Sequence, residues 1–144
     1  NCEAAEILRR QPDVHRALQA ARSAQVALVG IGNLDPAESG FVKGGFVTAQ
    51  ELKALTEQGA VGDMGGQIFS ADGQLAACTL NQRVIGLSLD DLRQIGLTMV
   101  VAAGAEKVAA IIGALRSGVV NVLCTDDETA AAVVKMANLQ SVRD

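Results

Sequence analysis

The sequence predicts an α/β fold, a parallel or mixed sheet flanked by helices. Three observations carry this expectation. Short runs rich in β-branched residues alternate with amphipathic helical stretches. Several of those runs end on glycine, where a strand can turn toward a helix. In the last third, strand, helix, strand and helix follow at the spacing of a βαβ unit, whose strands are parallel.

The elements can be justified in order. Residues 3–23 are rich in Ala, Leu and Arg and read as helix, interrupted near Pro12 because proline has no N–H to donate. Residues 25–30 (QVALVG) read as a short buried strand closed by Gly30. Residues 31–47 read as a long glycine-bearing loop. Thr48 and Glu51 form a Thr-x-x-Glu capping box that opens a helix stopping at Gly59. A Ser-Ala-Asp-Gly turn at 70–73 separates QIF (67–69) from LAAC (75–78), the pattern of a hairpin. Residues 84–87 read as another strand, and Ser88 caps a short helix to Ile95. Residues 97–103 (LTMVVAA) read as a buried strand. Residues 106–117 follow as a helix with Val108, Ile111, Ile112 and Leu115 on one face. Residues 119–124 are the next strand. Thr125, with Glu128 completing a second capping box, opens a helix to Asn138. No repeat, linker or internal boundary divides residues 1–144, so one domain is expected.

Composition removes several functions. Hydrophobic residues make up 49% and charged residues 19%, which suits a folded core and not a disordered segment. Three Phe and no Tyr or Trp leave no platform for stacking bases or sugar rings. A net charge of −4 and scattered Lys and Arg lack the footprint of a nucleic-acid binder. Cys2, Cys78 and Cys124 are far apart and form no CxxC, so no structural zinc or other metal site is expected, and idle thiols suit the cytoplasm. No signal peptide is visible, and the longest apolar run is far short of the roughly 20 residues that span a bilayer. His15 is the single histidine and lies on the first helix, which argues against His-based acid–base or nucleophile chemistry. A chain opening on Asn1 without Met is expected to be part of something longer.

Ligands of open α/β sheets bind beyond the carboxyl ends of the strands, so the glycine loops there are the places to look. Gly30-Ile31-Gly32-Asn33 resembles the start of a dinucleotide fingerprint, but Asp35 stands where the third glycine belongs, so no nucleotide cofactor is expected. A tight turn, or backbone close to some other ligand, fits equally well. Ala103-Gly104-Ala105-Glu106-Lys107 is a strand end running into a helix start. Free N–H groups and the helix dipole favour an anion there, most simply a phosphate. Lys107 adds a full positive charge where a cation does not help the helix itself; pairing with Glu106 or Glu128 is the plainer alternative. Gly62-Asp63-Met64-Gly65-Gly66 offers a carboxylate able to accept from sugar hydroxyls or to stabilise its own turn. Lys43 and Arg83 are further cations in or beside loops.

Five motifs occur in one order over residues 25–135. They are Val29-Gly-Ile-Gly-Asn33, Gly59-Ala-Val-Gly-Asp63, the run Arg83-Val-Ile-Gly-Leu-Ser-Leu-Asp-Asp-Leu-Arg93, Ala-Gly-x-x-Lys107 and Asn121-Val-Leu-x-Thr-Asp126. Together they resemble the C-terminal effector-binding domain of the SorC family of bacterial transcriptional regulators. The resemblance implies a fold akin to sugar-phosphate isomerases, glucosamine-phosphate deaminases and CoA transferases. It implies a phosphorylated sugar as effector, homodimers or homotetramers, and operator DNA bound by a helix-turn-helix absent from this sequence. It also implies that an earlier part of the effector domain, with a strand and a phosphate-holding loop, is missing. Residue by residue, it points to Asp63 and Lys107 as ligand contacts, to Gly32 and Gly104 as residues shaping the pocket, and to Lys43 and Arg83 as secondary phosphate contacts. Ala105 departs from the family, which usually has a second glycine there. The alternative is an isomerase or deaminase of the same fold. Against it, Asn33-Leu34-Asp35-Pro36 stands where the deaminases carry Asp-Gly-His, and the isomerases' Asp-Gly-Ala-Asp-Glu is also missing.

Overall fold

A computed structural model describes residues 1–141. Two helices, α1 (Cys2–Arg9) and α2 (Pro12–Arg22), divide at Pro12, and the Asn1 side chain caps the first by accepting from Ala4 N at 2.8 Å. Strand β1 (Val26–Asn33) leads through the one-turn helix α3 (Gly40–Lys43) to helix α4 (Ala49–Glu57), whose Thr48–Glu51 capping box forms. Strands β2 (Ala60–Met64) and β3 (Gln67–Ser70) make a hairpin, followed by helices α5 (Thr79–Arg83) and α6 (Leu89–Gln94). Strand β4 (Leu97–Val101), a 3-10 turn (Ala105–Lys107), helix α7 (Val108–Arg116), strand β5 (Val122–Cys124) and helix α8 (Asp127–Ser141) complete the order. The sheet runs β3-β2-β1-β4-β5. It is mixed: β1, β4 and β5 are parallel, while β2 and β3 are antiparallel.

Five expectations need correction. The hairpin turns at Gly65-Gly66, both at positive φ, not at residues 70–73. The Ser70–Gly73 turn exists, but Leu75 beyond it makes only a single bridge to Phe69, so LAAC is no strand. Residues 84–87 lie outside every strand, with no sheet neighbour to pair with. The stretch 31–33 is strand and not loop, because Ile31, Gly32 and Asn33 pair with Met64, Asp63 and Gly62. Helix α8 is capped one residue later than expected: the Asp126 carboxylate accepts from Thr129 N at 2.6 Å, and the Thr125 hydroxyl is buried without a partner.

Two apolar clusters hold the layers together. Val108, Ile111, Ile112 and Ala114 of α7 pack on one sheet face against Ile31, Met64, Phe69 and Val100. Gly62 permits this contact, since a Cβ there would stand 2.5 Å from the Ala110 Cβ and 2.8 Å from the Gly32 carbonyl oxygen. The second cluster, Leu34, Leu52, Ala60, Ile68 and Leu80, forms under α4 and α5. Each such fully buried aliphatic side chain stabilises the fold by roughly 1.5–3 kcal/mol.

The outer strand β3 is sealed by a side chain. Asn81 on α5 is buried; its Oδ1 accepts from Ile68 N at 2.7 Å, and its Nδ2 donates to Ile68 O at 2.9 Å and Ala76 O at 2.8 Å. The amide thus takes the place of a neighbouring strand residue. The parallel strands are treated differently. One face packs on α7, while the other leaves Val26 53%, Leu28 69% and Val101 53% exposed.

Candidate functional site

The site gathers where β1 and β4 end. Registry places Gly32 of β1 opposite Asp63 of β2 on one face of the sheet. A Cβ on Gly32 would collide with Asp63 Oδ1 and stand 3.1 Å from its Cγ, so the carboxylate lies where only glycine leaves room. Asp63 Oδ2 also accepts from Gly66 N at 3.1 Å, which ties it to the hairpin turn. A small cavity of about 180 Å³ opens beside it, lined by Gly40, Phe41, Phe46, Asp63 and Gly66. Asp63 therefore steadies the hairpin turn and also lines a concavity.

Burial holds the Asp63 carboxyl above the ordinary carboxylate range, against the opposing pull of the Gly66 N–H and the Lys107 ammonium. Ionised Asp63 therefore weakens the fold relative to its protonated form. Its share of stability falls as pH rises through the raised pKa, and recovers as pH drops toward 3.8. Asp63→Asn keeps an acceptor for Gly66 N–H. We expect it to raise Tm at pH 7, with the gain shrinking as the melts approach pH 4. A gain independent of pH would show that burial of charge is not its cause.

Lys107 ends the 3-10 turn that enters α7, and its charge reaches the Asp63 carboxyl. Among the described residues no carboxylate lies within 4 Å of its ammonium, neither Glu106 nor Glu128. It is half-buried. Gly104 precedes the turn at φ +117°, a conformation that disfavours any side chain. Its N–H donates to Thr129 Oγ1 at 2.9 Å, so the first amide of the expected anion cradle is already engaged. Helix α7 proper begins at Val108 and not Glu106, because the tighter turn intervenes. Thr129 was missed by the sequence reading. Its hydroxyl reaches Gly104 only across the β4–β5 crossover, and nothing local to residue 129 signals that.

Two predicted candidates remain, Lys43 and Arg83. Lys43 is exposed and paired with Glu38 at 2.9 Å. Arg83 lines a separate, largely apolar cavity of about 440 Å³ with Leu8, Leu80, Val84 and Ile85. Phe41 and Phe46 border both this cavity and the one beside Asp63. Gly32 meets Asp63 through register and Lys107 reaches it by charge, whereas Gly104 lines a different cavity and Arg83 another; Lys43 follows Gly40 and Phe41, which line the Asp63 cavity, with its ammonium held by Glu38. His15 is exposed on α2. Among the described residues no cluster of His, Cys, Asp or Glu could hold a metal, and no helix is long and apolar enough to cross a membrane.

A mixed five-stranded sheet flanked by helices places the chain in the α/β class. Residues 1–135 match the family described as "Putative sugar-binding domain", and the chain belongs to that family. Transcriptional regulator LsrR of Klebsiella pneumoniae is 35% identical over 140 residues, which cover 96% of this chain and 43% of that protein. The domain of the same description from a Vibrio fischeri transcriptional repressor superposes with a TM-score of 0.85 at 36% identity, covering 96% of this chain and 55% of that one. The full-length sorbitol operon regulator SorC from Klebsiella pneumoniae gives 0.83 at 27% identity, covering 93% and 43%. The chain therefore spans about half the length of the relatives it matches. The SorC-type resemblance read from five motifs holds: the chain belongs to this sugar-binding-domain family and is similar to domains of transcriptional regulators.

Proposed function

We propose that this domain senses a phosphorylated sugar. The observation that carries the reading is the half-buried Asp63 carboxylate within electrostatic reach of the half-buried Lys107 ammonium, which no carboxylate of the described residues approaches within 4 Å. The carboxylate accepts from sugar hydroxyls and the ammonium meets a phosphate. Gly32 makes room for the Asp63 carboxylate, and Gly104 allows the positive-φ turn that precedes Lys107. Lys43 and Arg83 take at most a peripheral part. Binding would act by population shift: the effector favours one quaternary arrangement of a homodimer or homotetramer and moves the equilibrium only by that difference in affinity. Operator DNA would be held by a separate module of the complete regulator, in the cytoplasm.

The open face of β1 and β4 supports treating this chain as the later part of a larger effector domain, since parallel sheets are covered on both faces. In this reading the fold is akin to the sugar-phosphate isomerases, deaminases and CoA transferases, without their catalytic groups.

Thermal melts of the chain with a sugar phosphate and with its unphosphorylated parent test the proposal. At ligand about 100-fold above Kd, linkage adds about 2.7 kcal/mol, a shift of several degrees. We expect that shift from the phosphorylated sugar and much less from the parent. Equal shifts would remove the phosphate from the reading.

A further inference from the structure

We propose that Phe46 is a specificity-determining residue of the Asp63 cavity, an aromatic surface on which the C–H face of a bound sugar stacks while its hydroxyls reach the carboxylate. The inference rests on the sugar reading of Asp63 given above. Composition argued against such a platform, yet two of the three phenylalanines, Phe41 and Phe46, border the cavity that Asp63 lines. A local closure brings them there. Phe46 N–H donates to the Phe41 carbonyl oxygen at 2.9 Å, and Gly45 turns the chain between them at φ +69°. Phe41 packs against the cluster of Leu34 and Leu52, whereas Phe46 is 62% exposed. One edge of the Phe46 ring rests over Gly44, where a Cβ would stand 2.6 Å from its Cε2 and 2.8 Å from its Cδ2. The ring is thus seated on backbone although most of it meets solvent. In the same cavity Asp63 has one oxygen to offer. Its Oδ2 accepts from Gly66 N at 3.1 Å, while Oδ1 accepts nothing among the described residues and is not sealed from solvent.

A sugar is amphipathic, with hydroxyls around its rim and C–H groups on a face. The face of an aromatic ring is negative and attracts those slightly positive hydrogens. A free acceptor beside an aromatic surface therefore recognises both parts of a sugar at once. A hydroxyl turned toward the ring would give up water and gain no partner. Phe46 thereby selects among sugars by stereochemistry and favours those that present an unbroken C–H face.

Saturation-transfer NMR on the chain tests this, with D-ribose, D-glucose and D-fructose as probes, each free and as its terminal phosphate. The variants are Phe46→Leu, Phe46→Ala and Asp63→Ala, each checked by a thermal melt. Because Phe46 is mostly exposed, its variants should fold. For the probes that wild type binds, we expect both Phe46 variants to bind about three- to tenfold more weakly. The C–H protons of the bound sugar should shift upfield in the ring current of wild type and lose that shift in Phe46→Leu. The spread of affinity among the three sugars should narrow in the same variant. Unchanged affinity and unchanged upfield shifts in Phe46→Leu, with Asp63→Ala impaired, overturn the role of Phe46 and leave the sugar reading standing. Wild-type affinity in Asp63→Ala overturns the sugar reading of this cavity. Absence of transfer to every probe overturns both.

Discussion

Asn81→Ala is expected to cost the fold about 2 kcal/mol, which lowers Tm by roughly 6 °C. The amide of Asn81 satisfies Ile68 N–H and Ala76 C=O in a place closed to solvent. Its third bond, to Ile68 O, is partly redundant, because Ala76 N also donates to that oxygen at 2.9 Å. The bond to Ala76 O is redundant in the same way, since Cys78 N donates to that oxygen at 2.9 Å, so the Ile68 N–H is the buried group left without a partner, at about 1–3 kcal/mol. Asn81→Asp separates the contributions. It keeps an acceptor for Ile68 N–H but turns carboxylate oxygens toward two carbonyls, so it should destabilise at least as much. Urea denaturation measures both variants. A loss below about 1 kcal/mol for Asn81→Ala would mean that water replaces the amide and that β3 is not sealed as described.

Gly32→Ala is expected to weaken sugar-phosphate binding at least about tenfold while leaving most of the stability in place. The new methyl has to displace the Asp63 carboxylate from the position it holds over Gly32. The colliding atoms belong to the end of a side chain, which can swing away, whereas Gly62 meets Ala110 and backbone on either side. Once displaced, the carboxylate gains solvent and loses its orientation toward the ligand. Isothermal titration with a sugar phosphate, beside a thermal melt, separates the two effects. Retained affinity would show that the position of Asp63 does not matter for binding. Loss of affinity with collapse of the fold would place Gly32 in packing and not in the site.

Much of the architecture was legible because it rests on local chemistry. The β4–α7–β5–α8 succession follows from apolar runs and a helical stripe, and the capping boxes at Thr48 and Ser88 form from neighbours in the chain. Thr125 shows the limit of that logic. Asp126 competes for the same helix end, and its carboxylate wins the Thr129 N–H. The hairpin was misplaced for a similar reason. Two turns, at Gly65-Gly66 and at residues 70–73, are both encoded, but only the first lies between segments that a sheet neighbour can pair.

By itself the sequence determined the fold class, the β4–α7–β5–α8 succession and the family, and it singled out Gly32, Lys43, Asp63, Arg83, Gly104 and Lys107 as the residues to examine. Periodicity, caps and motif order are properties of neighbouring residues, so they survive without coordinates. Only the tertiary structure decided that Gly32 lies under Asp63, that Thr129 holds Gly104, that Asn81 closes the sheet edge, that Lys43 is held by Glu38 and that Arg83 lines another cavity. Each of these is a contact between residues distant in the chain, set by strand register and crossover packing. A single sequence carries no local signal of where such partners meet.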